Sequence, residues 1–392
     1  MVSVSTPERH PGPLSGLLVV DLSRVLSGPF AAMMLADLGA RVVKVERPLT
    51  GDDSRSYGPF VGEESLYFAR VNRGKESVVL DLTDAADLEV VRSLARRADV
   101  LVENFRPGVM ARLGLGPEAL LEANPRLVFC SISGFGHTGP WSQRPAYDAV
   151  VQAMSGLMSI TGAPDGPPVK PGSPVADLSA GLYAFGGICA ALLGRATTGH
   201  GTHLDIAMYD ATVSLLEGAA LSWLATGIDP GRIGNGHASI APFDTFRTGT
   251  DDITICAAND LLFGALCSAL RLPALLTDSR FATNERRHVS RGALKELLEG
   301  AMADSPAEHW LEVLEAAGVP CGLIATVAQA VGSEQSRVRN MVVDAGGLPV
   351  PGNPIKLSGW VDPTSRPPAP TLDEHGPAVR AEFHPADRPL PP

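Results

Sequence analysis

The chain predicts an α/β protein: a doubly wound, Rossmann-like large domain with a smaller α+β domain inserted late in the sequence. Three observations predict it. Short β-branched runs alternate with helix-patterned segments from Leu17 to about Pro145, the signature of a parallel sheet covered by helices. That alternation gives way near residue 210 to a hairpin pattern followed by helices. The length of 392 residues, 45% of them hydrophobic and 19% charged, exceeds what one core usually holds.

The elements follow in order. Leu17–Leu22 is an apolar run of strand length, Ser23–Pro29 a loop, and Phe30–Ala40 a helix-spaced segment stopped at Gly39. Arg41–Glu46 is the next strand. Ser77–Leu82 (strand), Asp84–Arg97 (helix, with Leu88, Val91 and Leu94 on one side) and Asp99–Asn104 (strand) repeat the unit. Leu127–Ile132 adds a further strand before the Gly/Pro-rich loop Ser133–Pro145. A doubly wound sheet binds its ligands beyond the carboxyl ends of its strands. Those ends fall at Ser23–Pro29, Glu46–Asp53, Asn104–Gly108 and Ser133–Tyr147.

Ala149–Ile160 reads as helix, Thr161–Pro174 as a long loop, Leu178–Gly194 as a helix of small and apolar residues, Leu204–Ala207 as a short strand and Tyr209–Thr226 as one helix. Phe243–Arg247 and Ile253–Ala257 read as a hairpin, with helices near Leu261–Leu270, Arg291–Ala303 and Ala307–Ala317. The expected division is 1–209 for the first part of the large domain, 210–330 for the small one and 331–392 for a return to the large domain. Within that return, Pro363–Pro392 is Pro-rich and offers little to bury.

Composition narrows the function. A formal charge of −11 argues against wholesale binding of nucleic acid or anionic membrane. Between Arg41 and Arg112, however, twelve basic residues balance twelve acidic ones, a stretch suited to an anionic ligand. No run approaches 18 uninterrupted apolar residues, and Met1–Pro13 lacks the apolar stretch of a signal peptide. The five scattered cysteines form no CxxC and the nine histidines no metal-binding pair. A metal-free protein of the reducing cytoplasm is the expectation. There is no P-loop and no GxSxG. The single GxGxxG, Gly134–Gly139, runs into Pro140 where a dinucleotide fingerprint needs a helix.

Asp177 is the sharpest chemical candidate. It stands between an apolar tripeptide and a helix of small residues, where a carboxylate serves either as an N-cap or as a nucleophile. His137 is a lone loop histidine. Gly231–His237 is either a mobile cover or a plain surface loop. Arg47 and Arg112 lie at or just beyond strand ends, placed to meet phosphate or only solvent.

Several of these segments together resemble one family. Val20-Asp21-Leu22-Ser23-Arg24-Val25-Leu26-Ser27-Gly28-Pro29, Leu35–Ala40, Val43–Pro48, Asn104–Gly108, Tyr147-Asp148-Ala149 and Ala176–Gly181 are similar, in order, to motifs of the class III (CaiB/BaiF) CoA-transferases. That family also holds α-methylacyl-CoA racemases, and the likeness runs from about Leu14 to Gly376. It implies a CoA thioester as substrate, with no cofactor held permanently, a carboxylic acid as acceptor, and an interlocked, ring-shaped homodimer. In the transferases the residue at the place of Asp177 attacks the thioester to give an acyl–aspartyl anhydride. The CoA thiolate returns to form an aspartyl-CoA thioester, which the acceptor carboxylate attacks.

By the same matching, Val25, Leu26 and Leu80 belong to the adenine and pantetheine channel, and Arg47 and Arg112 contact phosphate. Asn104, Phe105 and Tyr147 line the cofactor path, and Gly234–Ser239 covers the intermediate. Backbone N–H groups near Asp177 are expected to hold the developing oxyanion. Racemases carry a His-Asp pair where this chain has Tyr147-Asp148. A phenol with a pKa of about 10 is a poor base for an α-proton. Transfer is therefore favoured, with α-methylacyl-CoA epimerisation as the alternative. Tyr147–Gly162 and Gly234–Phe246 are most similar to transferases of dicarboxylic acyl groups such as succinyl.

Overall fold

The computed structural model describes residues 12–384. Residues 1–11, on which the reading of the N-terminus rests, and 385–392 of the Pro-rich tail lie outside the described residues. The chain divides into two compact units. The first comprises residues 12–158, 170–228 and 334–384; the second, Ser159–Val169 and Asp229–Ser333.

The first unit opens with β1 (Leu18–Asp21), α1 (Ser27–Asp37) and β2 (Arg41–Glu46), then a small hairpin of β3 (Phe60–Val61) and β4 (Glu64–Ser65). It continues with α2 (Leu66–Asn72), β5 (Glu76–Val79), α3 (Ala85–Arg97), β6 (Val100–Glu103), α4 (Val109–Arg112), α5 (Pro117–Ala123) and β7 (Val128–Ser133). Next come α6 (Asp148–Met154), α7 (Val175–Thr198), β8 (Thr202–Ala207), α8 (Met208–Ser214) and α9 (Glu217–Thr226). Six strands form one sheet in the order β5-β2-β1-β6-β7-β8, every pair parallel. This is a doubly wound order, reversing direction between β1 and β6.

The period-2 alternation of strands explains the layers. Val20, Val43, Leu101 and Phe129 point to one face, into a core with Val91 and Leu94 of α3 and Leu120 of α5. Val19, Val42, Val100 and Val128 point to the other, against Ala31 and Leu35 of α1 and Ala180, Ala184 and Ile188 of α7. With 24 residues and a mean hydropathy of 1.5 over 18 of them, α7 is long and apolar enough to cross a membrane by composition. Its Ala/Ile face is nevertheless fully enclosed in this core.

The second unit holds an antiparallel sheet of β9 (Phe243–Arg247), β10 (Asp252–Cys256) and β11 (Cys321–Leu323), with β10 in the middle. Helices α10 (Asp260–Ala269), α12 (Arg291–Met302) and α13 (Ala307–Ala316), with the shorter α11 (Asn284–Val289), belong to the same unit. Phe246, Ile253, Ile255, Phe281 and Leu298 form its core.

Three details differ from the sequence expectation. Tyr209–Thr226 is two helices, because Glu217 takes a left-handed φ of 35°. Met208 and Ala211 of α8 enter the sheet's core, so residues up to Ile228 belong to the first unit rather than opening the second. The tail does bury side chains. Val379 and Phe383 are each 1% exposed in the core beside α3, and the Arg366 Nη1 donates to the Asp37 carbonyl at 2.6 Å. Proline content hid two apolar residues at i and i+4 on a short helix, Gly376–Glu382 and its cap.

Candidate active site

The loop between β1 and α1 is pinned from below by buried charge. Lys44 sits in a strand buried on both faces, where an ammonium needs partners. Its Nζ donates to the Ser23 carbonyl at 2.9 Å and pairs with Asp52 at 2.8 Å. Lys75 Nζ donates to Asp21 (2.8 Å), the Pro29 carbonyl (2.9 Å) and Asn72 (2.9 Å). Burial works against charge on Asp21, yet Lys75 and Lys44 outweigh it and hold the carboxyl below its ordinary range. Burial lowers Lys75 to about 8, partly opposed by Asp21. Asp52 also accepts the N–H of Val25, a β-branched residue held at φ 69°. A conformation this unfavourable persists only where its surroundings impose it.

Asp177 lies in the first turn of α7, which begins earlier than the sequence pattern suggested. It is not the N-cap; Pro174 occupies that position without a side-chain bond. The capping is done from a distance by Asp148, whose Oδ1 accepts the N–H of Ala176 (2.9 Å) and of Asp177 (3.3 Å). Gln152, fully buried, donates to the other oxygen of Asp148 at 2.6 Å. The remaining N–H groups of the turn are engaged too: Val175 donates to the Ser173 carbonyl and Leu178 to the Pro174 carbonyl. The amides from Val175 to Leu178 thus all have partners within the chain.

Burial pushes the Asp177 carboxyl up to about 7, and the Asp148 charge adds to the rise; the Ser27 hydroxyl and the Arg70 charge pull the other way. Ser27 reaches it because α1 and α7 pack unusually close. A Cβ on Gly181 would stand 2.8 Å from the Ser27 carbonyl oxygen and 2.9 Å from the Phe30 ring. None of the groups that shift Asp177 is a histidine. His137 is held elsewhere, its N–H on Asp205 and its ring against His203.

The residues expected around CoA separate into groups. Arg47, Leu80 and Phe105 line one cavity of about 230 Å³ together with Ser23, Arg24 and Thr83, at the carboxyl ends of β1, β2 and β5. Asn104 shapes its rim, since its side chain accepts the Arg24 N–H (2.9 Å) and donates to the Arg24 carbonyl (2.8 Å). Arg24 and Arg47 share Asp53 as counter-ion. Leu26 faces a second cavity, of about 280 Å³, and Val25 packs beside it. Arg112 is exposed on α4 and lines neither cavity. Tyr147 is 74% exposed at the start of α6 and likewise lines neither. Gly234–Ser239 belongs to the second unit, where the Gly234 N–H meets the Gly162 carbonyl and Asn235 donates to Thr245 at 3.0 Å.

Sequence reasoning missed Asp148 as the capping group, the Lys44–Lys75 network, Asp52 and Arg70. Lys44 carried a legible signal: a lone charge inside Val42-Val43-Lys44-Val45 implies a buried partner. Asp148 carried none, because its partner is 29 residues away.

A doubly wound sheet with a cavity at the carboxyl ends of its strands, and a second cavity walled by the residues flanking a proton-retaining carboxyl, is the frame of a ligand-binding α/β enzyme. The particular family is CoA-transferase family III, whose model matches residues 14–376; the chain belongs to it. It is thus an enzyme that transfers CoA between acyl-CoA donors and carboxylic acids. It is 52% identical over 380 residues to the acetyl-CoA:oxalate CoA-transferase of Acetobacter aceti, covering 97% of this chain and 98% of that protein. The succinyl-CoA:glutarate CoA-transferase of Mus musculus is 40% identical over 369 residues, 93% of this chain and 84% of that one. Among solved structures, a CAIB/BAIF family protein from Brucella suis superposes with a TM-score of 0.86 at 42% identity, over 95% of this chain and all of that one.

Proposed function

We propose that Asp177 is the group through which CoA passes, by way of an acyl–aspartyl anhydride and an aspartyl-CoA thioester. The observation that carries this reading is a half-buried carboxyl in the first turn of α7, bonded by Ser27 and flanked by Asp148 and Arg70. Ionised, it attacks the thioester carbon; the C–S bond breaks and CoA leaves as thiolate. The thiolate then attacks the aspartyl carbonyl, releasing the donor acid as carboxylate. An acceptor carboxylate displaces the thiolate again, and the thiolate takes the acceptor acyl group, restoring Asp177. Each step exchanges one activated acyl group for another, so exclusion of water matters more than a strong base.

In this reading the 230 Å³ cavity takes the adenosine end of CoA. Arg47 and Arg24 exchange Asp53 for phosphate, Leu80 and Phe105 give apolar contact, and Asn104 holds the rim. Val25 and Leu26 lie along the way to Asp177, with Arg112 and Tyr147 as outer contacts. The relatives named for oxalate and glutarate support short acids as substrates, with succinyl-CoA the first donor to try. The absence of histidine from the groups acting on Asp177 supports transfer over α-methylacyl-CoA epimerisation.

We infer a homodimer and a cytoplasmic setting as well. Leu221, Trp223 and Leu224 of α9 are more than half exposed, an apolar face suited to a second copy, and all five cysteines are free. Hydroxylamine added during turnover should trap the activated carboxyl, and peptide mass spectrometry should place the hydroxamate on Asp177. Asp177→Ala should abolish exchange and keep CoA binding. A hydroxamate on another residue, or exchange surviving in that variant, overturns the assignment.

A further inference from the structure

The 280 Å³ cavity of the first unit lies against the start of α7. Ser173, Pro174 and Leu178 wall it on either side of Asp177 in sequence, and Leu26, neighbour of the Ser27 that bonds Asp177, closes another side. Most of the wall is apolar, including Phe30 and Met33, but two polar groups in it are unsatisfied. Arg70 Nε is buried with no hydrogen-bond partner among the described residues, and so is Asn353 Nδ2. Asn353 is 1% exposed and its own Oδ1 is fixed by the Ile355 N–H at 2.8 Å, so its amide is oriented rather than free to turn. The Arg70 guanidinium is stacked on the Tyr67 ring, 3.8 Å from the centroid. The other charges in the wall neutralise each other: Arg73 holds Asp37 through two bonds of 3.0 and 2.6 Å.

Two oriented donors without an acceptor, in an apolar pocket, call for an anion. A planar guanidinium suits a carboxylate. Arg70 shares this wall with Ser173, Pro174 and Leu178, and its charge acts on Asp177.

We propose that Arg70 and Asn353 bind the second carboxylate of a dicarboxylic acyl group or acceptor while its first carboxyl reacts at Asp177. Arg70 and Asn353 are then the residues that select dicarboxylic over monocarboxylic acids. The inference rests on the reading of Asp177 given above and deepens it.

The test compares acceptors in the full-length enzyme. With succinyl-CoA as donor, kcat/KM is measured for glutarate and for butyrate in the wild type, in Arg70→Met and in Asn353→Asp. The second variant keeps the acceptor used by Ile355 and replaces the free donor by a negative charge. Glutarate should lose about 10- to 100-fold in Arg70→Met, as for a charge-assisted bond, and butyrate much less. Any effect of Arg70 on the ionisation of Asp177 is common to both acids and cancels in the ratio. Should Arg70→Met fail to fold, Asn353→Asp decides alone, with the same direction expected. Equal losses for both acids, or a ratio unchanged in Asn353→Asp, overturn the selectivity role and leave the Asp177 reading intact. A wild type that transfers CoA to neither acid, with no hydroxamate on Asp177, defeats that underlying reading.

Discussion

Replacing Asp177 with Asn should end turnover and, at pH 8, make the protein more stable. Burial first, and the Asp148 charge second, raise the Asp177 carboxyl from an ordinary 3.8 to about 7. An unfolded chain releases this proton near 3.8, while the folded chain keeps it to about 7. Between those values the native state holds the extra proton, so this residue's contribution to stability falls as pH rises and stays low above 7. A difference of about three in pKa, at about 1.4 kcal/mol each, amounts to about 4 kcal/mol. Part of the side chain reaches solvent, and screening there reduces the figure to about 2 kcal/mol.

Asn is isosteric and carries no charge, so it keeps the packing and removes the repulsion. Urea denaturation followed by circular dichroism at pH 8 and pH 4 measures the difference. The variant should gain about 2 kcal/mol at pH 8 and nothing at pH 4, where the wild-type carboxyl is protonated in the native state. A gain of equal size at both pH values, or a loss at pH 8, would refute the idea that burial and the Asp148 charge disfavour the ionised form of this carboxyl.

Other expectations follow from the same structure. The wild-type kcat/KM should fall as pH drops below about 7, because the proton on Asp177 blocks attack on the thioester; a flat profile down to pH 5 contradicts this. Lys75→Met leaves Asp21 buried without its closest cation and should cost about 3–5 kcal/mol in denaturation experiments. Asp53→Asn should release Arg24 and Arg47 and tighten CoA binding by calorimetry, whereas Arg47→Ala should weaken it about tenfold. Phe383→Ala should cost about 3–5 kcal/mol, as for an aromatic side chain in the core rather than one in a loose tail.

The sheet was legible because its strands carry their own pattern. Val42-Val43 and Val100-Leu101-Val102 are buried on both faces and read as unbroken apolar runs. Asp177 was legible as a carboxylate at a helix start, but its surroundings were not. Ser27, Arg70 and Asp148 come from α1, α2 and α6, and no local spacing brings three helices to one carboxyl. The start of α7 was misjudged for a related reason. Val175–Asp177 reads as an apolar lead-in with a cap, and the side chain of Asp148, from another helix, caps a backbone turn that begins three residues sooner. The Arg47–Asp53 pairing was hidden because Arg47 reads as a strand-end arginine open to phosphate or solvent and Asp53 as one more loop acid.

On the proposed role of Asp177, Asp148 also gives a reason for exchange of acyl groups over proton abstraction on two faces of a carbon. It caps α7 and, by its own charge, helps keep the neighbouring carboxyl near neutrality. A nucleophile with a pKa near 7 is ionised enough to attack a thioester, and it is also a good enough leaving group for its anhydride to react onward. A histidine at position 147 would work against that balance: once protonated, it would pull Asp177 back toward the ordinary carboxylate range and make a base pair across a substrate carbon. Tyr147 is largely exposed and is not among the groups that act on Asp177. The rise of Asp177 is therefore left to burial and Asp148. Tyr147→His should lower the pH at which kcat/KM for transfer begins to fall, and a limb that stays near 7 in that variant would sever the link between the two positions.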